Sequence, residues 1–207
     1  LSHVEGNYSI VDNGELEGKS LDELIRSYGK ELLGEKVMER FGTTFPLLIK
    51  FIDARDNLSI QVHPDDELAK KRHNSFGKTE MWYALPSDEH ASLTLGFNRD
   101  LDPEEFTDLV EKGEITSALN KCQVKEGDVF FIPAGTVHAI DSGCFLIEIQ
   151  QTSDDTFRIY DYGRTDAAGN PRQLHLDHAL ESLCLSRNDG APIRYTAHPD
   201  IPVNVVK

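Results

Sequence analysis

The chain has 207 residues, of which 39% are apolar and 28% charged, with a formal net charge of -15. Length and composition predict a packed globular core and exclude a disordered chain. The acidic balance excludes a general binder of nucleic acid or anionic membrane, which needs a basic surface, but a few clustered Lys or Arg residues can still hold a small phosphate.

In chain order, residues 18–37 read as an amphipathic helix. Ser20 with Glu23 makes a capping box, and Leu21, Leu24, Ile25 and Leu32 form an apolar stripe. Residues 45–54 (FPLLIKFIDA) are a continuous apolar run that predicts a buried strand. Asp56-Asn57 turns the chain into a second strand, NLSIQV. Residues 64–73 predict a short helix opening on Pro64, with acidic residues in its first turn. Strands are predicted at 78–85 and 91–97, and a helical insertion broken near Gly113 at 102–120. Strands follow at 127–133, 137–140 and 144–151, the last two joined by Asp141-Ser142-Gly143, a tight hairpin signal. A strand-like segment at 156–163 and a helical tail at 174–185 complete the pattern. Many short strands with turn signals predict a sandwich or barrel decorated by helices.

No apolar run approaches the roughly 20 residues of a membrane span. The opening LSHVEGNYSI has neither a basic nor an apolar signal region. Cys122, Cys144 and Cys184 are widely spaced without CxxC and read as free thiols in a reducing compartment. A soluble cytoplasmic protein is expected.

The sharpest pattern is Gly127, five residues, Pro133-Ala134-Gly135-Thr136-Val137-His138. It resembles the second motif of the cupin superfamily, G-x5-P-x-G-x2-H, at every fixed position. The resemblance implies a mainly β fold: a double-stranded β-helix (jelly roll) with helical insertions and His138 in its mouth. The first cupin motif, H-x-H followed by a glutamate, corresponds here to Gln61-Val62-His63 with Glu80 seventeen residues on. Side chains at i and i+2 share one face of a strand, so Gln61 and His63 can meet Glu80 and His138 on one ion. Two imidazoles, a carboxylate and an amide oxygen suit Zn²⁺, and Mn²⁺, Fe²⁺ or Co²⁺ less well.

A glutamine in place of a histidine narrows the resemblance. SIQVHPDDELA, GKTEMWYAL, GDVFFIPAGTVHAI and QTSDDTFRIYDYGR are together similar to type I mannose-6-phosphate isomerases, especially the short bacterial form, from about His3 to Leu185. The resemblance implies one Zn²⁺ per chain on Gln61, His63, Glu80 and His138. It also implies interconversion of mannose 6-phosphate and fructose 6-phosphate by proton transfer between C1 and C2 through a cis-enediol(ate). Members usually carry a Trp-Gly-Gly segment near the N-terminus and a second, degenerate cupin. Neither is matched here, so residues 1–207 are expected to form a single catalytic barrel domain.

Three tasks then need residues. Arg158 matches an active-site arginine that would stabilise the enediolate; read alone, it would pair with Asp154, Asp155 or Asp161. Lys78 stands two residues before Glu80 and would share its inward face, for proton transfer or for substrate oxygens; read alone, it is a solvated loop lysine. Glu148 interrupts the apolar FLIEIQQ, where a raised pKa would suit a base; the alternative is an ion pair, for instance with Arg158. The base stays open between Glu148 and Lys78. Family resemblance puts Lys50 and Ser59, on neighbouring strands, at the phosphate, with Arg164 a weaker candidate; read alone, Lys50 is a snorkelling lysine at a strand end. Two rival functions remain at this level: a cupin of another class such as an Fe-dependent oxygenase, and a non-catalytic sugar-phosphate binder.

Overall fold

The computed structural model describes residues 1–165, 167–197 and 202. In chain order they form β1 (His3–Val4), β2 (Asn7–Tyr8), α1 (Leu21–Leu33), α2 (Glu35–Phe41), β3 (Leu47–Asp53), β4 (Ile60–Val62), α3 (Asp66–His73), β5 (Glu80–Ala84) and β6 (Ser92–Phe97). Then come α4 (Pro103–Glu111), a 3-10 turn (Ile115–Ala118), β7 (Leu119–Gln123), β8 (Val129–Ile132), β9 (His138–Ile140), β10 (Phe145–Gln151), β11 (Phe157–Tyr160) and α5 (Leu176–Ser182). Two antiparallel sheets dominate, with orders β3-β10-β5-β8 and β11-β4-β9-β6-β7. They face one another with helices outside, the jelly-roll arrangement the motifs imply.

The apolar residues fall into two layers. Trp82, Ala84, Leu93, Leu95, Phe130, Ile132, Ile140 and Leu146 pack between the sheets. Ile60, Val62, Ala139, Phe157 and Ile159 point the other way, against Phe106, Leu109 and Val110 of α4 and Ala179 of α5. Strand parity decides this: as Ile60 and Val62 turn outward, Gln61 must turn inward. The inward face is therefore apolar at one end and polar at the other.

Several expected elements are redrawn. The first helix is two, because Gly34 takes φ 83° between them and Gly29 kinks α1. Ser20 and Glu23 do form the capping box, but the kink takes Leu32 off the stripe and leaves it exposed. The run at 45–54 is not a buried strand: β3 lies at a sheet edge, Leu48 is buried, and Phe51 is 70% exposed. Only its inward face meets the core. Asp65 caps α3 by accepting from the Leu68 N–H, so Pro64 stands before the helix. The link at 141–143 is a corner rather than a hairpin, since β9 and β10 belong to different sheets. Lys50 and Ser59 likewise lie on facing sheets, not on neighbouring strands, because the chain crosses between sheets after β3. β1, β2 and β7 carry no apolar alternation that would have announced them. The three cysteines are free thiols. Among the described residues no helix is long and apolar enough to cross a membrane.

Candidate metal centre and surrounding pocket

The site is built across the two sheets. Gln61 on β4 pairs with His138 on β9 and with Arg158 on β11. Glu80 opens β5, in register with Gln150 of β10, and the next inward row is Trp82, Glu148 and Lys50. His63 follows β4 directly, and its carbonyl accepts from the Gly135 N–H. Gly135, at φ 85°, makes the turn of the GDVFFIPAGTVH motif that brings His138 back beside His63.

His63, Glu80 and His138 form a buried cluster whose ligand atoms lie within 4.8 Å of one another. His63 Nε2 is 3.2 Å from Glu80 Oε1, and His138 Nε2 is 3.6 Å from Glu80 Oε2. Each imidazole is oriented from behind: His63 Nδ1 lies 2.8 Å from the Asp155 carbonyl and His138 Nδ1 2.9 Å from the Thr136 carbonyl. A carbonyl can only accept, so each Nδ1 carries a proton, which in a neutral ring leaves Nε2 a bare lone pair. Lone pairs then face a carboxylate, and His63 Nε2 and Glu80 Oε2 are buried without a hydrogen-bond partner. Such a constellation is satisfied by a cation. The donor set of two imidazoles and a carboxylate fits Zn²⁺ or a similar divalent metal.

The ionisation states agree with this. Burial pushes the His63 imidazole down to about 3, so it is neutral at neutral pH. Burial alone would raise the Glu80 carboxyl, but its surroundings, the Lys78 ammonium among them, hold it below its usual range. Trp82 forms the floor, its ring 5.5 Å from that of His138.

Gln61 reaches the same cluster. Its Nε2 lies 3.4 Å from His138 Nε2, and its Oε1 accepts from the Ser59 hydroxyl at 3.4 Å. The amide thus turns its nitrogen, rather than its oxygen, toward the histidines. Half a turn of the amide would exchange them, because a serine hydroxyl can accept as well as donate.

Lys78 touches the cluster, Lys50 lies in the next row, and Arg158 stands on β11 in register with Gln61. Lys78 precedes β5 rather than lying on it, yet it is buried, with Nζ 3.8 Å from Glu80 Oε1 and donating to Thr156 Oγ1 at 3.2 Å. Burial lowers its ammonium pKa against the opposing pull of Glu80. Lys50 donates to Glu148 Oε1 at 2.6 Å and to Gln150 Oε1 at 2.5 Å. Lys50 is therefore no loose strand-end lysine, and Glu148 pairs with it rather than with Arg158. Arg158 Nη1 donates to the Gln173 carbonyl at 3.0 Å, and no ion pair of Arg158 with Asp154, Asp155 or Asp161 is found among the described residues. Burial lowers its pKa, with the neighbouring Arg172 acting in the same direction. Arg164 is committed elsewhere: it binds the Asp161 carboxylate and donates to the Asn57 carbonyl at 2.7 Å.

Some participants escape the sequence. Gln150 had a signal, since it is two residues beyond Glu148 and so on the same inward face. Asp155 and Thr136 act through backbone carbonyls, and Thr156 through a hydroxyl in an irregular loop. No residue pattern announces these.

Residues 2–127 match the family model described as phosphomannose isomerase type I, catalytic domain. The chain is 41% identical over 198 residues to mannose-6-phosphate isomerase ManA of Bacillus subtilis (strain 168), covering 95% of this chain and 60% of that protein. It is 40% identical over 186 residues to mannose-6-phosphate isomerase of Streptococcus mutans serotype c, covering 90% of this chain and 57% of that one. The crystal structure of the mannose 6-phosphate isomerase from Bacillus subtilis superposes with a TM-score of 0.83 at 36% identity, covering 92% of this chain and 59% of that chain. A phosphomannose isomerase mutant from Salmonella typhimurium shares the fold at 17% identity with a TM-score of 0.75. The chain spans about three-fifths of the length of these bacterial relatives. With the family match covering more than half of it, the chain belongs to the type I phosphomannose isomerase family and carries that family's cupin jelly roll.

Proposed function

We propose that this chain is the catalytic domain of a metal-dependent aldose–ketose isomerase that interconverts mannose 6-phosphate and fructose 6-phosphate. The observation that carries the reading is the inward triad of two proton-free Nε2 atoms and one carboxylate, buried and facing one another beside Lys50, Lys78 and Arg158. The relatives bear the same activity in their names. Residues 1–207 are read as one domain.

His63, Glu80 and His138, with Gln61 through its amide oxygen after half a turn, would hold one Zn²⁺ per chain. With Glu80 as the only anionic ligand, the bound metal would keep net positive charge and supply Lewis-acid polarisation of the C1 and C2 oxygens. Lys50 and Ser59 bind the phosphate from facing sheets, and Glu148 and Gln150 hold the Lys50 ammonium in place. Arg158 places a fixed positive charge at the mouth, where an enediolate develops negative charge. Thr156 and Glu80 orient the Lys78 amine, and burial brings it closer to neutrality. Lys78 is therefore the favoured carrier of the proton at C1 or C2. Glu148, tied to Lys50, is the second candidate.

A coupled assay for fructose 6-phosphate formation tests the function. Turnover should disappear with chelator and return with Zn²⁺; full turnover by metal-free protein would overturn the mechanism. Oxygen uptake with stoichiometric iron would instead support an oxygenase. Binding of mannose 6-phosphate without turnover would support a non-catalytic binder.

A further inference from the structure

Gln150 sits two residues beyond Glu148 on β10 and is 1% exposed. Its amide orientation is not free. Nε2 donates to the Gln151 carbonyl and to the Ser153 carbonyl, each at 2.8 Å, so both N–H groups are used. Oε1 must then point the other way, where it accepts from Lys50 Nζ at 2.5 Å. Lys50 has three protons to give. One goes to Gln150 and one to Glu148, and the side chain is still 37% exposed, which leaves a third proton for an outside acceptor.

We propose that Gln150 is a positioning residue that acts through Lys50. It holds the ammonium between two acceptors on one strand and leaves its third proton for a phosphate oxygen. The inference rests on the reading that Lys50 meets the substrate phosphate. A flexible four-carbon stem loses much rotamer freedom when it is fixed, and a clamp formed before binding removes that cost from the binding step. The neutrality of the amide matters. Glu148 already offsets one charge, and a second carboxylate would leave Lys50 with no net attraction for an anion. Gln150 also anchors the segment after β10 through Ser153, and that segment carries Asp155, which orients His63, and Thr156, which receives Lys78. One amide thus sets a phosphate-binding lysine and steadies the loop behind the metal cluster.

The test is a double-mutant cycle on the whole chain, using inorganic phosphate as the probe, with its dissociation constant measured by calorimetry and KM measured for mannose 6-phosphate. A hydrogen bond to a charged group corresponds to roughly 10- to 100-fold in an equilibrium. Gln150→Met should weaken phosphate about 10-fold or more, with the kinetic loss falling on KM more than on kcat. Gln150→Glu should lose as much although it keeps an acceptor. Lys50→Met should lose at least as much as either, and the double variant Lys50→Met, Gln150→Met should bind no worse than Lys50→Met alone. Losses that add in the double variant would overturn the proposal, as would a Gln150→Glu that binds normally. Should Gln150→Met fail to fold, side-chain amide NMR on the Gln150 protein decides. Lys50→Met and saturating phosphate should each move the Gln150 resonance, and a resonance that moves with neither overturns the idea. A chain without isomerase turnover that still shows the non-additive phosphate cycle would sink only the proposed function. Turnover with an additive cycle would sink only the role of Gln150.

Discussion

His63 Nε2 stands 3.2 Å from Glu80 Oε1 with both side chains 1% exposed, and the two come from facing sheets. Their contact is the point where the space between the sheets is lined by polar ligand atoms rather than filled with apolar side chains. His63→Ala or Glu80→Gln should lower Zn²⁺ affinity by at least about 100-fold, beyond the range for losing a supporting residue. Elemental analysis after dialysis against a competing chelator measures this. A Glu80→Gln protein that keeps stoichiometric metal would contradict the ligand set.

Acid should destabilise the metal-free protein earlier than an ordinary acidic protein of this size. His63 has a folded pKa of about 3 against an ordinary value of 6.5, so unfolding takes up a proton anywhere between those values. Stability is complete above about pH 6.5 and falls as the pH drops toward 3. Glu80, also lowered by its surroundings, adds to the loss below about 4.5. Urea midpoints measured at intervals from pH 8 to 4 should show the decline, and His63→Asn should flatten its upper part.

The cations around the cluster should separate kinetically. Arg158→Ala should lower kcat by about 100- to 1000-fold, the usual loss when a fixed donor to a developing oxyanion is removed. Lys78→Met should also fall mainly on kcat and remove one limb of the pH–rate profile. If that limb survives in Lys78→Met and vanishes in Glu148→Gln, the proton carrier is Glu148.

Trp82 should matter for both stability and the site. It is buried between the sheets, in register with Glu148 and edge-on to His138. Trp82→Ala should cost about 3–5 kcal/mol by cavity formation. Its thermal midpoint should recover partly on adding Zn²⁺, because a ligand that binds only the folded chain stabilises it.

Local patterns were readable where a single strand or turn carried them. The alternation in SIQVHP put Ser59, Gln61 and His63 on one side, and Glu148 stood out as a carboxylate interrupting the apolar FLIEIQQ. Strand parity places Gln150 on the same side as Glu148, but its role depends on Lys50 arriving from β3. Errors came where a run of residues has the same appearance in two settings. The apolar run of β3 resembles a strand buried on both faces, yet its edge position exposes Phe51. Asp141-Ser142-Gly143 has hairpin chemistry, yet it turns a corner between sheets.

By itself, the sequence determined a mainly β sandwich or barrel, which the motif resemblance narrowed to a jelly roll, and the shared face of Ser59, Gln61 and His63, because side-chain alternation and motif spacing are properties of the local chain. Only the tertiary structure decided which strands face each other. That choice paired Glu148 with Lys50 instead of Arg158, brought Arg164 to the Asn57 carbonyl, and set the Asp155 carbonyl behind His63. Those contacts join residues far apart in the chain, and the packing of the two sheets, rather than any local preference, selects them.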